Sequence, residues 1–579
     1  MNRTFPLYAK IAVSILSVII IVRLFLMWIP YPDLKRFLNR QYSLQIHDRN
    51  GELLEIVPLE DGIRREYTPL KDIPVFIQQV FIKSEDRRFY YHPGIDPIAL
   101  IRSVFRNLTA GRILTGGSTI TMQLARIVSP RASSIPGKVV EMLNALRIEA
   151  KLHKRQILEL YLNSIPFAYR AEGVTSAGRT FFGQSLPELS PAQVILLAVI
   201  PRRPQKYNPV ESPEAAFAAA SELSLSKRFG ITPAEIEEGV LSAQYGRWGY
   251  KAPHFLQFLK ERAGFNELSG RKGGSLSTSL DLDLNLYLEE RLNYYLDKYS
   301  TSRLTNGAGI LIDNQSGEIL AYVGSRNFFG DDDSGQIDGV QVANQSGSCI
   351  KPFLYAYALE HGFTPNTVLP DIPLEFGSSQ VYLPQNFNKR YNGPVRLRVA
   401  LASSLNVPAV YLLHQIGVTK FFDFLLSLGF ESLKSQANTA GLGLAVGNGE
   451  VSLYELARAF ALFPRRGLPL ELTPFKLEHP PFGSYQVERK PIISDYAADL
   501  ICDILSDKAS RILGFGETSV LNVDFSAMFK TGTANQFQHI WALGATPDYT
   551  IGIWMGNFSG DTVIGKTGSS IPAQIAVEM

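Results

Sequence analysis

The stretch Gln345-Ser346-Gly347-Ser348-Cys349-Ile350-Lys351-Pro352-Phe353 decides how the second half of this chain is interpreted. It places a serine three residues before a lysine and leads into an apolar run that predicts a buried helix. Side chains three positions apart share a helix face, so Ser348 Oγ and Lys351 Nζ are expected within reach of each other. A desolvated lysine can take the proton that makes a serine hydroxyl nucleophilic. Because Pro352 has no N–H for the carbonyl of Ser348, the first turn is predicted to be irregular. Alone, this spacing is a weak signal, and a solvated lysine at a helix start is the favoured explanation.

Two later motifs change that balance. Ser404-Leu405-Asn406 follows downstream, and Lys530-Thr531-Gly532-Thr533 follows well after it. S-x-x-K, S-x-N and K-T-G in this order form the signature of the serine enzymes that penicillin acylates. The chain from about residue 276 to its C-terminus therefore resembles the transpeptidase domain of penicillin-binding proteins. Cys349 departs from that family, which usually has Thr or Ala at this position.

The composition is that of a globular chain too long for one domain. It has 579 residues, of which 45 % are hydrophobic and 19 % charged, and a formal net charge of +3. No basic run indicates nucleic acid. Two cysteines are too few for a disulfide framework, and one of them, Cys349, lies beside the proposed nucleophile. The eight histidines lack metal-ligand spacing, so neither a histidine metal site nor a Ser-His-Asp triad is indicated.

An N-terminal apolar segment predicts a membrane anchor. Residues Ile11 to Ile29 are apolar apart from two serines and Arg23, a length that can cross a bilayer. No small-residue cleavage site follows, so an uncleaved anchor is predicted rather than a removed signal peptide. Basic residues lie on both sides of the segment, so charge alone does not fix its orientation. A buried core helix is the alternative.

Three stretches in the first half carry further chemistry. The segment from Glu85 to Asp96 reads E-D-x-x-F-x-x-H-x-G-x-D, and Gly116 to Arg126 reads G-G-S-T-I-T-M-Q-L-A-R. From Lys138 to Asn163 the pattern predicts a helix on which Glu141 heads an otherwise apolar stripe. A glutamate there is paired, functional or held neutral, and such carboxylates are structural more often than they are catalytic.

Together, and with the later sequence I-L-E-L-Y-L-N at 157–163, these stretches resemble the peptidoglycan glycosyltransferase domain, a lysozyme-like helical fold that polymerises lipid II. The chain as a whole is similar to bifunctional class A penicillin-binding proteins. Its details resemble the 1C type, whose usual further C-terminal domain is missing here. The segment Tyr169-Arg170-Ala171-Glu172 departs from the family, which commonly has glycines there.

The resemblance implies roles in the first domain. Glu85 would be the general base for the acceptor 4-hydroxyl, a role that apolar surroundings would favour. Glu141 would assist on the leaving-group side of an inverting transfer. Arg126 and Lys138 would supply the positive charge that binds the departing undecaprenyl pyrophosphate, and Arg131 is a further candidate. Ser118 and Gln123 would line the site. No cofactor is required, and a divalent ion such as Mg²⁺ at Glu141 stays an open alternative that no cluster of metal ligands indicates.

The resemblance also implies roles in the second domain. Ser348 would attack the carbonyl of D-Ala-D-Ala with Lys351 as the base, and Ser404 and Asn406 would relay the proton and hold the peptide amide. Lys530 and Thr531 would bind the terminal carboxylate. The N–H groups of Ser348 and Thr533 would form the oxyanion hole, and Gly532 would belong to the same substrate-binding strand. An amine would resolve the ester as a cross-link, whereas water would make the enzyme a carboxypeptidase; the sequence does not decide between them.

We therefore predict a multidomain membrane protein. Its parts are a cytoplasmic tail at 1–10, a transmembrane helix at 11–29, a mainly α glycosyltransferase domain at 40–212, a linker region at 213–275 and an α/β transpeptidase domain with an antiparallel sheet at 276–579. The expected partners are lipid II and nascent peptidoglycan, β-lactams as covalent inhibitors, the inner membrane with both domains outside the cytoplasm, and other proteins of cell-wall synthesis. The alternatives are a protein with only one active domain and a non-catalytic β-lactam sensor or scaffold.

Overall fold

The computed structural model describes residues 7–110, 117–131, 134–245, 250–262, 265, 274–330, 334–377, 381–476, 490–534 and 537–579, with backbone alone at 7–16, 19 and 104–110. The chain forms two compact units. The first comprises Met1–Ile46, Leu53–Tyr250 and Glu267–Leu276, and the second comprises His47–Glu52, Lys251–Asn266 and Ser277–Met579. Gly116, quoted above, lies outside the described residues.

The N-terminal segment is helical. Helix α1 spans Leu7–Trp28, and α2 spans Pro32–Leu38 with a proline in its first turn. Within the ranges given above, no single helix combines the length and apolar character that crossing a membrane requires. The helices Asn406–Ile416 and Val418–Ser427 are long and apolar enough only when they are taken together, and they are bent by 94° relative to each other. The transmembrane helix predicted at 11–29 is thus present as a helix but is not confirmed as a span.

The first unit is helical around a buried core. Its further helices are α3 Val75–Glu85, α4 Pro97–Ala110, α5 Ile120–Val128, α6 Ile135–Lys151, α7 Lys154–Leu162, α8 Val174–Phe182, α9 Pro191–Val199, α10 Pro213–Lys227 and α11 Pro233–Leu241. Every residue of α9 after its proline is buried. Helices α10 and α11 pack against α9, so this part of the predicted linker region at 213–275 contributes to the first unit.

The prediction of one continuous helix from Lys138 to Asn163 is wrong. Helix α6 ends before Leu152, whose backbone is extended, and α7 begins after His153. The side-chain Oε1 of Gln156 accepts the N–H of His153 at 2.9 Å, which caps α7 and takes the donor that a continuous helix would have used. The break leaves the predicted apolar stripe in place, because Glu141, Ala145 and Ile148 are all buried.

Short strands complete the first part of the chain. They are β1 Gln45–His47, β2 Leu53–Ile56, β3 Arg64–Arg65, β4 Ala171–Glu172 and β5 Ser275–Ser277. They form a sheet in the order β2-β1-β5 and a separate parallel pair of β3 with β4.

The second unit is built on a five-stranded antiparallel sheet in the order β12-β13-β14-β6-β7. The strands are β6 Asn306–Asp313, β7 Ile319–Val323, β12 Met528–Thr533, β13 His539–Ala545 and β14 Tyr549–Gly556, which confirms the predicted antiparallel sheet. Two short antiparallel pairs join β8 Asn344–Gln345 to β11 Glu450–Val451 and β9 Val368–Asp371 to β10 Gly393–Arg396. Strand β12, which carries the K-T-G motif, is an edge strand.

Helices cover both faces of this sheet. The helices of the unit are α12 Pro253–Lys260, α13 Leu282–Lys298, α14 Lys351–Glu360, α15 Leu397–Ala402, α16 Asn406–Ile416, α17 Val418–Ser427, α18 Leu453–Phe460, α19 Asp495–Ser506, α20 Ile512–Phe515 and α21 Pro572–Glu578. Helix α13 packs where Gly309 faces it, and α18 packs on the opposite face where Gly552 lies. The predicted α/β architecture is confirmed.

Candidate active sites

In the first unit, Glu85 is the last residue of α3 and is half-buried. Gln123 Nε2 donates to its Oε2 at 2.9 Å, and Arg202 Nε donates to its Oε1 at 2.9 Å. Arg202 also donates to the carbonyl oxygen of Ser84 at 3.2 Å. The expectation that apolar surface flanks Glu85 is therefore wrong, because α5 and the segment after α9 each place a hydrogen-bond donor against the carboxylate.

The amide of Gln123 is held in turn by Tyr161. The Tyr161 hydroxyl donates to Gln123 Oε1 at 3.0 Å, which turns the Gln123 Nε2 group toward Glu85. Burial raises the pKa of Tyr161 well above its ordinary value, and the charge of Glu85 adds to that effect. Tyr161 therefore stays a hydrogen-bond donor, and the order Tyr161–Gln123–Glu85 fixes which way the carboxylate faces.

The loop after Glu85 is closed by side chains of its own motif. His92 Nδ1 accepts the N–H of Gly94 at 3.2 Å, so the ring proton lies on Nε2 and is donated to Asp86 at 3.0 Å. Asp86 also accepts the N–H of Ile120 at 3.1 Å. Arg88 makes a forked ion pair with Asp96, with bonds of 2.7 Å and 2.9 Å.

Asp86, His92 and Asp96 are of metal-ligand type, and their ligand atoms lie within 4.8 Å of one another. The two nitrogens of His92 are already engaged, one as acceptor and one as donor, and the arginine of the loop neutralises Asp96. This donor set does not fit a resident metal ion. Asp86 instead joins the end of α3 to the start of α5, and His92 and Asp96 hold the loop between α3 and α4.

A second cluster surrounds Glu141, which is buried on α6. Lys138 Nζ donates to Glu141 Oε1 from one turn earlier and to Ser118 Oγ at 2.6 Å. Of the three states that the sequence allowed for Glu141, the paired one is observed. Lys138 engages only Oε1 of Glu141, and a divalent ion at this residue stays a prediction.

The predicted cationic residues near this cluster differ in their surroundings. Lys138 is half-buried and tied to Ser118 and Glu141, whereas Arg126 and Arg131 are exposed. The structure thus brings together Ser118, Lys138 and Glu141, and separately Glu85 and Gln123.

The segment that departs from the family has unusual backbone geometry. Tyr169 has φ 58° and Arg170 has φ 57°, a left-handed conformation that favours glycine and that side chains adopt at a cost. Hydrogen bonds of the Tyr169 hydroxyl offset this backbone cost: it donates to Glu211 at 2.7 Å and accepts from Asn208 at 2.8 Å. Arg170 donates to the carbonyl of Asp61 at 2.9 Å.

In the second unit, Ser348 lies in a 3₁₀ turn, Gly347–Ile350, and α14 begins only at Lys351. The predicted irregular turn is confirmed, and its cause is visible: Pro352 offers no N–H, so the carbonyl of Ser348 accepts the N–H of Lys351 instead. Ser348 and Lys351 therefore do not share one α-helix as the spacing suggested. Gly347 has φ 54°, and a Cβ there would lie 2.6 Å from the carbonyl oxygen of Thr533.

Lys351 is completely buried, and three oxygens lie within hydrogen-bond distance of its Nζ, of which the neutral amine can donate to two. These are the carbonyls of Ser404 at 2.8 Å and Leu405 at 3.0 Å, and Asn406 Oδ1 at 2.7 Å. Burial lowers the pKa of Lys351 well below its ordinary value, and the charge of Lys530 lowers it further. An amine with a lowered pKa can accept a proton near neutral pH.

Ser404 connects the two lysines of the site. Its carbonyl accepts from Lys351, and its Oγ accepts from Lys530 Nζ at 2.8 Å. Ser404 has φ 57°, so this connection depends on a strained backbone of the kind that gathers at functional sites. Burial lowers the pKa of Lys530 to about 8. Lys530 also donates to the carbonyl of Thr531 at 2.7 Å.

Ser404 borders a cavity of about 450 Å³. Its lining includes Ser348, Ser404, Asn406, Thr531 and Thr533. Cys349 is buried, and its Sγ lies 3.7 Å from the carbonyl oxygen of Lys530. Burial raises the pKa of the Cys349 thiol to about 12, so it is a packed thiol rather than a competing nucleophile.

Sequence reasoning missed several members of these sites. Arg202, which pairs with Glu85, follows the apolar residues 198–201, and nothing in its local pattern sets it apart. Tyr161 lies inside the I-L-E-L-Y-L-N segment, which by itself assigns it no role. Asn386 belongs to none of the three motifs of the second unit, and its contacts are described below.

Known families and proteins match both units. The family pattern described as Transglycosylase matches residues 50–226, and the pattern described as Penicillin binding protein transpeptidase domain matches residues 307–577. Penicillin-binding protein 1C of Escherichia coli (strain K12) is 32 % identical over 518 residues, which make up 88 % of this chain and 64 % of that protein. The chain therefore spans less than two thirds of that relative's length.

Two further likenesses cover nearly the whole chain. Penicillin-binding protein 1A of Aquifex aeolicus (strain VF5) is 27 % identical over 625 residues, covering 91 % of this chain and 84 % of that one. The crystal structure of penicillin-binding protein 1A from Haemophilus influenzae superposes with a TM-score of 0.58 at 20 % identity, covering 93 % of this chain and 92 % of that one. At this identity the structural likeness concerns the fold alone.

Proposed function

The chain belongs to the class A penicillin-binding proteins, which join a transglycosylase domain to a penicillin-binding transpeptidase domain, and on that premise we propose that it synthesises peptidoglycan in two reactions. The first unit polymerises lipid II into glycan strands. The second unit cross-links stem peptides through an acyl-enzyme on Ser348. The carrying observation is that Lys351 and Lys530 both hydrogen-bond to Ser404, which lines the same cavity as Ser348.

In the proposed transpeptidation, Ser348 Oγ attacks the carbonyl carbon of the penultimate D-alanine while Lys351 accepts its proton. The lowered pKa of Lys351 supports that role. The N–H groups of Ser348 and Thr533 stabilise the oxyanion. Ser404, held by Lys530, relays the proton from Lys351 to the nitrogen of the leaving D-alanine as the peptide bond breaks, which returns Lys351 to its neutral form.

Lys530 and Thr531 also bind the carboxylate of the terminal D-alanine in this proposal. A stem-peptide amine then attacks the ester carbonyl, releases Ser348 and forms the cross-link. Water in place of that amine would release a shortened stem peptide, so cross-linking and carboxypeptidase activity share every step up to the ester. β-Lactams would acylate Ser348 by the same attack.

In the proposed glycosyl transfer, Glu85 accepts the proton of the acceptor 4-hydroxyl as that oxygen attacks the anomeric carbon. Gln123 and Arg202 orient the carboxylate. The bond to undecaprenyl pyrophosphate breaks on the opposite face, with inversion. Lys138, with Ser118 and Glu141 beside it, carries the positive charge that the leaving group needs. No step is routed through a metal ion.

We place the chain at the cytoplasmic membrane, with α1 as a single span and both units outside the cytoplasm. Support comes from the apolar segment at 11–29 and from the substrates, because lipid-linked disaccharide and stem peptides are presented on the outer face. Arg23 is long enough to reach toward an interface from within the span. A C-terminal phosphatase reporter should be active, and a fluorescent cytoplasmic reporter with an inactive phosphatase would overturn this topology.

The function is tested by incubating the purified full chain with lipid II, with and without a transglycosylase inhibitor. Glycan strands and peptide cross-links are scored separately. The expected result is both products without the inhibitor and neither with it, because cross-linking needs polymerised strands. Released D-alanine without cross-links would indicate a carboxypeptidase. Neither product in any condition would favour the alternative of a β-lactam sensor or scaffold.

A further inference from the structure

A buried amide supports the S-x-N segment from behind. Asn386 is 4 % exposed, and its Oδ1 accepts the N–H of Asn406 at 2.8 Å and of Val407 at 3.4 Å. These are the first two N–H groups of α16, which its own preceding residue, Leu405, does not cap with a side chain. The backbone carbonyl of the neighbouring Gln385 accepts from Asn406 Nδ2 at 2.9 Å. Two adjacent residues therefore hold both the backbone and the side chain of Asn406.

The orientation of that amide is fixed by a buried carboxylate at the end of β9. Asp371 is fully buried, and its Oδ1 accepts from Asn386 Nδ2 at 2.6 Å. Its Oδ2 accepts from the N–H and the Nδ2 of Asn392 at 2.9 Å and 2.6 Å. All three contacts are N–H donors, which suits a carboxylate that only accepts. A carboxylate cannot donate and peptide N–H groups cannot accept, so the Asn386 amide has one workable orientation.

The contacts continue to the group that the mechanism uses as a base. Asn406 Oδ1, positioned as described, accepts from Lys351 Nζ at 2.7 Å. Lys351 is buried and its other two acceptors are carbonyls at 404–405, immediately before Asn406. A shift of Asn406 would therefore displace all three oxygens that hold the amine.

We infer that Asp371 and Asn386 are positioning residues for acylation, which act through Asn406 to hold Lys351 against Ser348. The inference rests on the proposed transpeptidase function. Asp371 is fully buried behind the segment that carries Asn406, whereas Asn386 borders the cavity but is only 4 % exposed, with its amide bonded to Asp371 and to the backbone of Asn406. Misplacement of a base by about 1 Å can cost on the order of 10²-fold in rate.

The hydrogen-bond directions supply a sharp test. In Asp371→Asn, an amide N–H must face either the Asn386 amide or the Asn392 donors, so one contact becomes repulsive whichever way it turns. In Asn386→Asp, two carboxylates meet where a 2.6 Å bond now lies. The exchanged pair, Asp371→Asn with Asn386→Asp, restores a donor facing an acceptor and still offers a carboxylate oxygen to Asn406 and Val407. The present bond from Asn386 Nδ2 to the carbonyl of Arg390 is lost and a carboxylate oxygen faces that carbonyl instead, so the expected recovery is partial.

The experiment follows fluorescent penicillin with the full chain and measures two quantities. One is the rate constant of acylation at saturating penicillin, and the other is the final number of labels per chain. Asn366→Asp and Asp423→Asn are matched controls, because they make the same changes on exposed residues of this unit. Glycan polymerisation by the first unit is recorded in parallel as a check on each preparation.

Each single variant should lower the acylation rate constant on the order of 10²-fold while the final label number stays at one per chain. The exchanged pair should recover at least ~10-fold, and the two controls should match the wild type. Wild-type rates in both single variants would overturn the inference. So would a lower label number with an unchanged rate constant, which is what lost folding alone produces, or an exchanged pair no faster than the singles. A wild-type chain without a label on Ser348 would instead contradict the proposed function.

Discussion

Two buried lysines occupy the transpeptidase site, and they have different tasks. Lys351 must be neutral to accept a proton, and its burial together with the charge of Lys530 lowers its pKa. Lys530 must be charged to attract a carboxylate, and its own pKa of about 8 leaves it protonated at neutral pH. The charge on Lys530 thus serves both roles, since it attracts substrate and disfavours a second charge at Lys351.

This difference predicts how penicillin acylation depends on pH. The second-order acylation constant, which reports the free enzyme, should fall as pH rises through about 8, because Lys530 then loses its proton. A penicillin methyl ester has no carboxylate and should lack that falling limb, which makes it the control. A constant that is level up to about pH 9.5 with the carboxylate form would contradict the role of Lys530.

The neighbouring serine and cysteine predict different responses to substitution. Ser348→Ala should abolish covalent penicillin labelling, whereas Cys349→Ala should leave it within about twofold, because the buried Cys349 thiol has a pKa of about 12 and is not a competing nucleophile. Mass spectrometry of the labelled peptide locates the acyl group. A label carried by Cys349 in the Ser348→Ala protein would reverse the assignment.

Substitutions of Glu141 should affect the stability of the first unit as well as the rate of polymerisation. Glu141→Gln keeps the shape and should lower polymerisation with little change in the melting temperature of the first unit. Glu141→Lys would place a second ammonium against Lys138 and leave Ser118 Oγ as the remaining partner of Lys138, so it should destabilise the unit by about 1–3 kcal/mol. Thermal unfolding of the full chain, with penicillin labelling as the control for the second unit, measures the difference. Equal melting temperatures for the two variants would show that Glu141 is not buried in this pair.

At the scale of elements, the sequence gives the catalytic motifs more reliably than their support. The order of S-x-x-K, S-x-N and K-T-G predicts Ser348, Lys351 and Ser404 because each motif is local and the three together are specific. The irregular first turn of α14 could also be predicted, since Pro352 removes one defined hydrogen bond. Asp371 and Arg202 could not, because their roles arise from contacts with residues distant in the chain. The break between α6 and α7 was missed because one side-chain cap at Gln156 outweighs a continuous helical pattern.

The α7–α8 connection predicts an unusual response to glycine. Arg170 has φ 57° and is exposed, so Arg170→Gly should raise the free energy of unfolding by up to about 1 kcal/mol despite the lost bond to Asp61. Arg170→Val should lower it by about 1–3 kcal/mol, because a β-branched side chain tolerates this conformation least. Chemical denaturation of the two proteins provides the comparison. A valine variant as stable as the glycine variant would mean that the backbone is not left-handed there.

In the whole molecule, the proposed glycan polymerisation and the proposed cross-linking belong to two different units of one chain. Each unit has its own core and its own ionisable cluster, and the residues proposed for one reaction all lie within one unit. Loss of chemistry in one unit should therefore leave the other intact, except where its product is needed as a substrate.

The most direct test of that claim scores glycan strands, cross-links and penicillin labelling for the wild type, Glu85→Gln and Ser348→Ala proteins on lipid II. Glu85→Gln should lose polymerisation by on the order of 10²- to 10⁴-fold, because it removes a general base, yet keep full penicillin labelling. Ser348→Ala should polymerise at nearly the wild-type rate and form neither cross-links nor a penicillin adduct. Near wild-type polymerisation by Glu85→Gln, or cross-links formed by Ser348→Ala, would contradict the account.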